Sequence, residues 1–189
     1  MDTLISEIDV DNIDMEQIKK QAEILNYLLT PATIALAIPL YQQLSLLRKN
    51  LLAVICGIIS GVFASMSSVL AMSVLFSLSH EDFVTLLPKS ITTAIGMGVS
   101  EELGGIQTIT VAVIIVTGVL GNVIGEGVCK LFRITEPISR GLALGTAAHA
   151  IGTAKALEMG EIEGAMSSLS IAVAGLLTVV FASFYAMVY

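Results

Sequence analysis

Charge is what this sequence has least of. Only 13% of its 189 residues are Asp, Glu, Lys or Arg, 55% are hydrophobic, and mean hydropathy is +0.89. A soluble globule cannot cover itself from that supply of polar groups. Basic residues are scarcest: nine against sixteen acids leave a net charge of -7, which excludes a nucleic-acid binder relying on phosphate attraction. Cysteine is nearly absent too. Cys56 and Cys129 lie far apart in apolar runs, so neither a disulfide framework nor a metal-ligand cluster is available, and both read as reduced packing residues. No H-E-x-x-H and no nucleophile-base arrangement is visible, so we expect no enzyme activity, cofactor or metal. Long apolar runs replace the ~10-residue alternating segments of a membrane barrel, which argues against strands.

The charge that exists is unevenly placed. Residues 1–27 hold seven acids and two bases, a net charge of -5, and the other 162 residues carry only -2. The acidic start does not suit a secretory signal. It is expected to form a separate segment, a candidate surface helix, that does not bind an anionic leaflet.

What remains is a polytopic, all-α membrane domain over 28–189. A spanning helix needs about 20 mostly apolar residues, and four windows qualify: 28–47, 51–79, 108–132 and 165–189. Between them lie 88–105 and 141–160, rich in Gly, Ala, Ser and Thr and marginal as lipid-facing helices. Basic loops stay cytoplasmic. Arg48 and Lys49 mark one such loop, and Lys130, Arg133 and Arg140 another. The loop around His80 then falls outside, so 88–105 begins and ends on the outer side and should enter the membrane and return.

The chain also resembles itself. Residues 94–106 match 150–162 at a constant offset of 56, with six identities in thirteen positions. One span separates the copies, so a second re-entrant segment would enter from the cytoplasmic side. The result would be an inverted repeat with broken helices meeting near the midplane, where secondary transporters build substrate sites; the alternative is that both segments are full spans. Half-helix N-termini there favour an anion.

Candidate site residues follow from that arrangement. Ser90, Thr92 and Thr93 in one segment, with Thr146 and Thr153 in the other, offer hydroxyls to a small hydroxy- or keto-acid, although singly each is an ordinary back-bonding helix residue. An imidazole ordinarily titrates near neutral pH, so His149 is read as binding substrate or a proton, or as a structural hydrogen bond to a neighbouring helix. Lys89 and Lys155 can attract a carboxylate or snorkel to the interface. Glu126, the odd charge in an apolar span, pairs with Lys130 four residues on or relays protons.

The stretches Leu87-Pro88-Lys89-Ser90-Ile91-Thr92-Thr93, Ser100 to Ile106 and Arg140 to Glu158 resemble the LrgB/CidB family of integral membrane proteins, as does Pro31 to Tyr41. The resemblance covers roughly residues 28–189. It implies a multi-pass protein of the bacterial inner membrane, described as antiholin-like and tied to murein hydrolases and lysis. Such proteins often act with a small holin-like LrgA/CidA-type partner. Related proteins carry small monocarboxylates such as pyruvate, glycolate or glycerate, so the expected ligand is a small organic anion. Family members often have proline at the position of Ala94 and Gly-Pro where this chain has Gly125-Glu126, and they begin with two further helices. So few spans can hardly enclose a cavity alone, and at least a homodimer is expected.

Overall fold

The computed structural model describes residues 27, 34 and 37–189. The chain divides into two units, Met1–Leu36 and Ala37–Tyr189, and the helical bundle is the second. Residues 1–26 of the acidic segment and residues 28–33, 35 and 36 of the expected span 28–47 lie outside the described residues.

Every element found among the described residues is helical: α1 (Leu44–Lys49), α2 (Leu51–Phe76), α3 (His80–Leu86), α4 (Thr93–Glu102), α5 (Gln107–Leu131), α6 (Pro137–Met159) and α7 (Glu161–Val188). Three of them, α2, α5 and α7, are long and apolar enough to cross a membrane. At 1.5 Å per residue each exceeds the roughly 30 Å of hydrocarbon. Their outward faces carry Leu75, Val123, Leu131 and Leu176, all at least 70% exposed, an apolar surface that lipid covers and water would not.

Three helices end by the same device. The chain turns left-handed at Ser77, Gly104 and Arg133, and the next amide reaches back five residues: Leu78 to Ser73, Gly105 to Ser100, Ile134 to Cys129. This is the Schellman close, which satisfies carbonyls that a helix end leaves bare. A capping box restarts the chain after Ser77. Ser79 Oγ accepts from the Asp82 amide at 3.1 Å and the Asp82 carboxylate accepts from the Ser79 amide at 3.3 Å, so the span expected over 51–79 stops at Phe76.

The two small-residue segments are hairpins of short helices. At about 15 Å, α4 is too short to span, and it is separated from α3 by the Pro88–Thr92 break. Both helices lie beside the first turns of α5: the Ile106 amide donates to Thr85 Oγ1 at 2.8 Å, and Thr110 Oγ1 donates to the Thr85 carbonyl at 2.9 Å and accepts from Ser100 Oγ at 2.8 Å. The descending arm therefore begins at His80, earlier than position 88. No proline at 94 is needed for the break, because Thr92 supplies extended backbone at φ -64°, ψ 145°.

Helix α6 breaks at Ala148 and His149, the latter at φ 42°, ψ -138°. Its two halves run alongside the same stretch of α7. Gly141 and Gly145 pack on Glu163, Met166, Ser167 and Ser170, while Leu157 packs on Gly164 and Thr153 bonds Ser167 at 2.7 Å. One arm is thus parallel to α7 and the other antiparallel. The tip is His149.

Phe63 packs on Phe181 with ring centroids 4.8 Å apart, Ser67 bonds Tyr185 at 2.7 Å, and the Tyr189 hydroxyl donates to the Leu78 carbonyl with the Ser73 carbonyl 3.2 Å away. Helices α2 and α7 are therefore parallel. The α3–α4 hairpin enters from the end where α2 finishes, and α6 from the end where α7 starts.

Candidate functional site

The two hairpin tips approach each other against α2. Gly61 makes this possible on one side, since a Cβ there would sit 2.6 Å from Thr146 Oγ1. A cavity of about 380 Å³ remains between them, with Gly61, Ala64, Ser65 and Ser68 of α2 on one wall, Lys89 and Ser90 from the first tip, and Ala143, Thr146 and Ala147 from the second hairpin.

Its polar groups have surplus hydrogens. Ser90 Oγ accepts from Ser65 Oγ at 2.9 Å and from Lys89 Nζ at 3.0 Å, which leaves its own hydroxyl hydrogen to donate. The ammonium lies 3.5 Å from Ser65 Oγ, and it takes part in none of the four ion pairs found among the described residues. Thr146 Oγ1 donates to the Leu142 carbonyl at 2.8 Å, so it turns only lone pairs to the cavity. A cation and a free hydroxyl hydrogen without a carboxylate suit a small anion. Among the described residues no group of three His, Cys, Asp or Glu side chains is placed to hold a metal.

Of the site residues expected from the sequence, Lys89, Ser90 and Thr146 share this cavity. The others lie elsewhere. His149 is 3% exposed and its Nε2–H donates to the Ile114 carbonyl at 2.9 Å, with its ring against Gly118. Thr153 donates to the His149 carbonyl at 2.9 Å, so Ser167 is the donor in their 2.7 Å contact; both hydroxyls are buried. Thr92 and Thr93, half-buried, open α4. Lys155 and Glu126 meet at 3.3 Å, with Lys130 at 2.8 Å from Glu126 and Glu158 at 3.2 Å from Lys155. That network ties the second arm of α6 to the last turns of α5. Cys129 is buried, but Cys56 is exposed on α2 and not in the core position expected of it.

Ser65 and Ser68 are the polar cavity residues that sequence reasoning misses. Their signal lies in the serines at 60, 65, 67, 68 and 73 of an otherwise apolar span.

A bundle of membrane-length helices with two broken hairpins packed between them is a helical membrane protein. The chain belongs to the LrgB-like family, which matches residues 3–188. It is 39% identical to the antiholin-like protein LrgB of Bacillus cereus (strain B4264) over 173 residues, 92% of this chain and 75% of that relative. The antiholin-like protein LrgB of Bacillus anthracis (strain CDC 684 / NRRL 3495) matches over the same shares at the same identity. No solved structure matches the chain.

Proposed function

We propose that this chain is an antiholin-like protein of a bacterial inner membrane, which restrains murein hydrolase activity and lysis together with a small holin-like LrgA/CidA-type partner and has no catalytic chemistry of its own. The carrying observation is its 39% identity, over 92% of its length, to proteins so named. Co-expressed with such a partner, it should slow detergent-induced autolysis and lower extracellular murein hydrolase activity. Unchanged autolysis curves with both proteins in the membrane would overturn the reading.

The cavity at Lys89 favours a second reading, a carrier of small monocarboxylates. In it, α2, α5, α7 and a span within 28–47 cross the bilayer, and the two hairpins re-enter from opposite sides as halves of an inverted repeat. The 56-residue offset places Leu51–Phe76 on 107–132 and Ser90 on Thr146, the two hydroxyls that meet at the cavity. A homodimer would cover the open side of α2. Protein reconstituted in liposomes should take up labelled pyruvate, glycolate or lactate, and Lys89→Gln should abolish uptake. Absence of uptake with the partner present would rule out the carrier.

A further inference from the structure

The two hairpins are built alike and fastened differently. The 56-residue offset carries the buried α2 positions Val54, Ile58, Val62 and Ser73 onto Thr110, Ile114, Gly118 and Cys129, the four buried residues of α5. It carries the break at Thr92 and Thr93 onto the break at Ala148 and His149. Gly96 and Gly152 also correspond. A Cβ there would lie 3.5 Å from the Pro88 carbonyl oxygen and 3.1 Å from that of Leu144, again 56 residues apart. Helix α4 is thus the counterpart of the second arm of α6, residues 149–158.

Polar bonds hold that second arm along its length. His149 Nε2–H donates to the Ile114 carbonyl at 2.9 Å, Asn122 Nδ2–H to the Ile151 carbonyl at 2.9 Å, Thr153 meets Ser167 at 2.7 Å, and Lys155 meets Glu126 at 3.3 Å. At the same offset α4 has Thr93, Met97 and Val99 in place of His149, Thr153 and Lys155, and the spans have Met66 and Val111 in place of Asn122 and Ser167. What keeps the body of α4 in place is apolar and non-directional: Gly96 admits the Ile114 side chain, and Ile95 lies over Gly175 of α7. Ala94, Ile95 and Gly98 are exposed, and a Cβ at Gly98 would meet nothing within 4 Å. Two glycines in ten residues, and the exposed Glu101 and Glu102 at the negative end of the helix dipole, weaken α4 further. Its base is tied, because Ser100 Oγ donates to Thr110 Oγ1 at 2.8 Å. The left-handed Gly104 follows directly, the kind of element end at which hinges form.

We propose that α4 is a flap, closed in this structure, that swings away from α5 and α7 about Gly104 and opens the bundle to the outer side, while the second arm of α6 is its fixed counterpart. Opening carries the Pro88–Thr92 tip with it and parts Ser90 and Lys89 from Ser65, so the cavity at Lys89 opens outward. The flap rests on the carrier reading only for what it admits. The unequal fastening of the two arms stands without that reading.

Amide hydrogen exchange on the full chain in lipid nanodiscs tests this without reference to any substrate. Amides 96–99 and 152–155 lie equally far from their tips, and those of α4 should exchange faster on the order of a hundredfold. Equal rates, or faster exchange at 152–155, would overturn the proposal. A disulfide then distinguishes hinged opening from fraying. In a background lacking Cys56 and Cys129, Ile95→Cys with Gly175→Cys puts two thiols at one contact, since a Cβ at 175 would lie 3.1 Å from Ile95 Cδ1. Oxidation should slow amides 96–99 to nearly the rate of 152–155, and reduction should restore the difference, which shows that the variant is folded. Fast exchange that survives the bridge would also count against the flap. Uptake of labelled pyruvate by the same chain in liposomes separates the two ideas. Unequal exchange without uptake keeps the flap and removes the carrier, and uptake that continues through the bridged protein keeps the carrier and removes the flap.

Discussion

His149 shows how one residue can look like a binding group and be placed to hold backbone. It sits at the tip of α6 with φ 42°, a region where a non-glycine residue costs on the order of 1–3 kcal/mol, and its imidazole is spent on the Ile114 carbonyl. The bond and the strain belong together, because the ring ties the tip to α5 while the backbone reverses. Glycine at 149 would relieve the torsion and lose the bond, whereas alanine would lose the bond and keep the torsion. His149→Ala should therefore lower stability by about 2–4 kcal/mol, and His149→Gly by about 1 kcal/mol less. Thermal denaturation of the purified variants in detergent checks the order. Equal midpoints would mean that the tip can relax without its left-handed residue.

At the scale of elements, glycine decides how closely the hairpins dock. A Cβ at Gly145 would lie 2.5 Å from the Ser167 carbonyl oxygen and 2.7 Å from Ser170 Cβ, atoms of a packed helix that cannot swing aside. Gly145→Ala should cost about 1–3 kcal/mol through overpacking. Gly127→Ala meets nothing within 4 Å on an exposed face of α5, and should gain up to about 1 kcal/mol of helix propensity. The same melting measurement distinguishes a docking glycine from an idle one, and equal shifts would mean that α6 and α7 separate freely. These elements are unequally legible in the sequence. The spans α5 and α7 can be placed within a few residues of their ends, because a long apolar run bounded by polar residues marks each directly. The α3 arm escapes such reading because His80, Glu81 and Asp82 look like a polar loop, although that polarity is the capping box and acidic first turn of a short helix. Lys89, Ser90 and Thr146 are marked as site residues by type and segment, and the structure brings them to one cavity. Nothing in the sequence separates them from Thr153, since that requires knowing which face of each arm turns to α2 and which to α7.

At the scale of the whole molecule, the direction of the second hairpin fixes which side of the membrane every later residue faces. Arg140 and Glu163 approach to 3.9 Å, and Lys155 reaches Glu126 at 3.3 Å, so both ends of α6 lie at the end of the bundle where α5 finishes. If α6 were a spanning helix, Glu161 would instead lie with Glu81 and Glu101 at the opposite end. The basic residues Arg48, Lys49, Lys130 and Arg133 assign the first end to the cytoplasm. Cysteines placed at 81 and 101 should then react with an impermeant maleimide added to intact cells, and cysteines at 133 and 161 only after the membrane is opened. Residue 161 discriminates most sharply, because its label moves with α6 alone while the other three follow from the spans. Labelling of 161 from outside, with 133 still protected, would turn α6 into a fourth crossing among the described residues. The two hairpins would then no longer enter from opposite sides, and the pairing of Ser90 with Thr146 across one cavity would lose its basis.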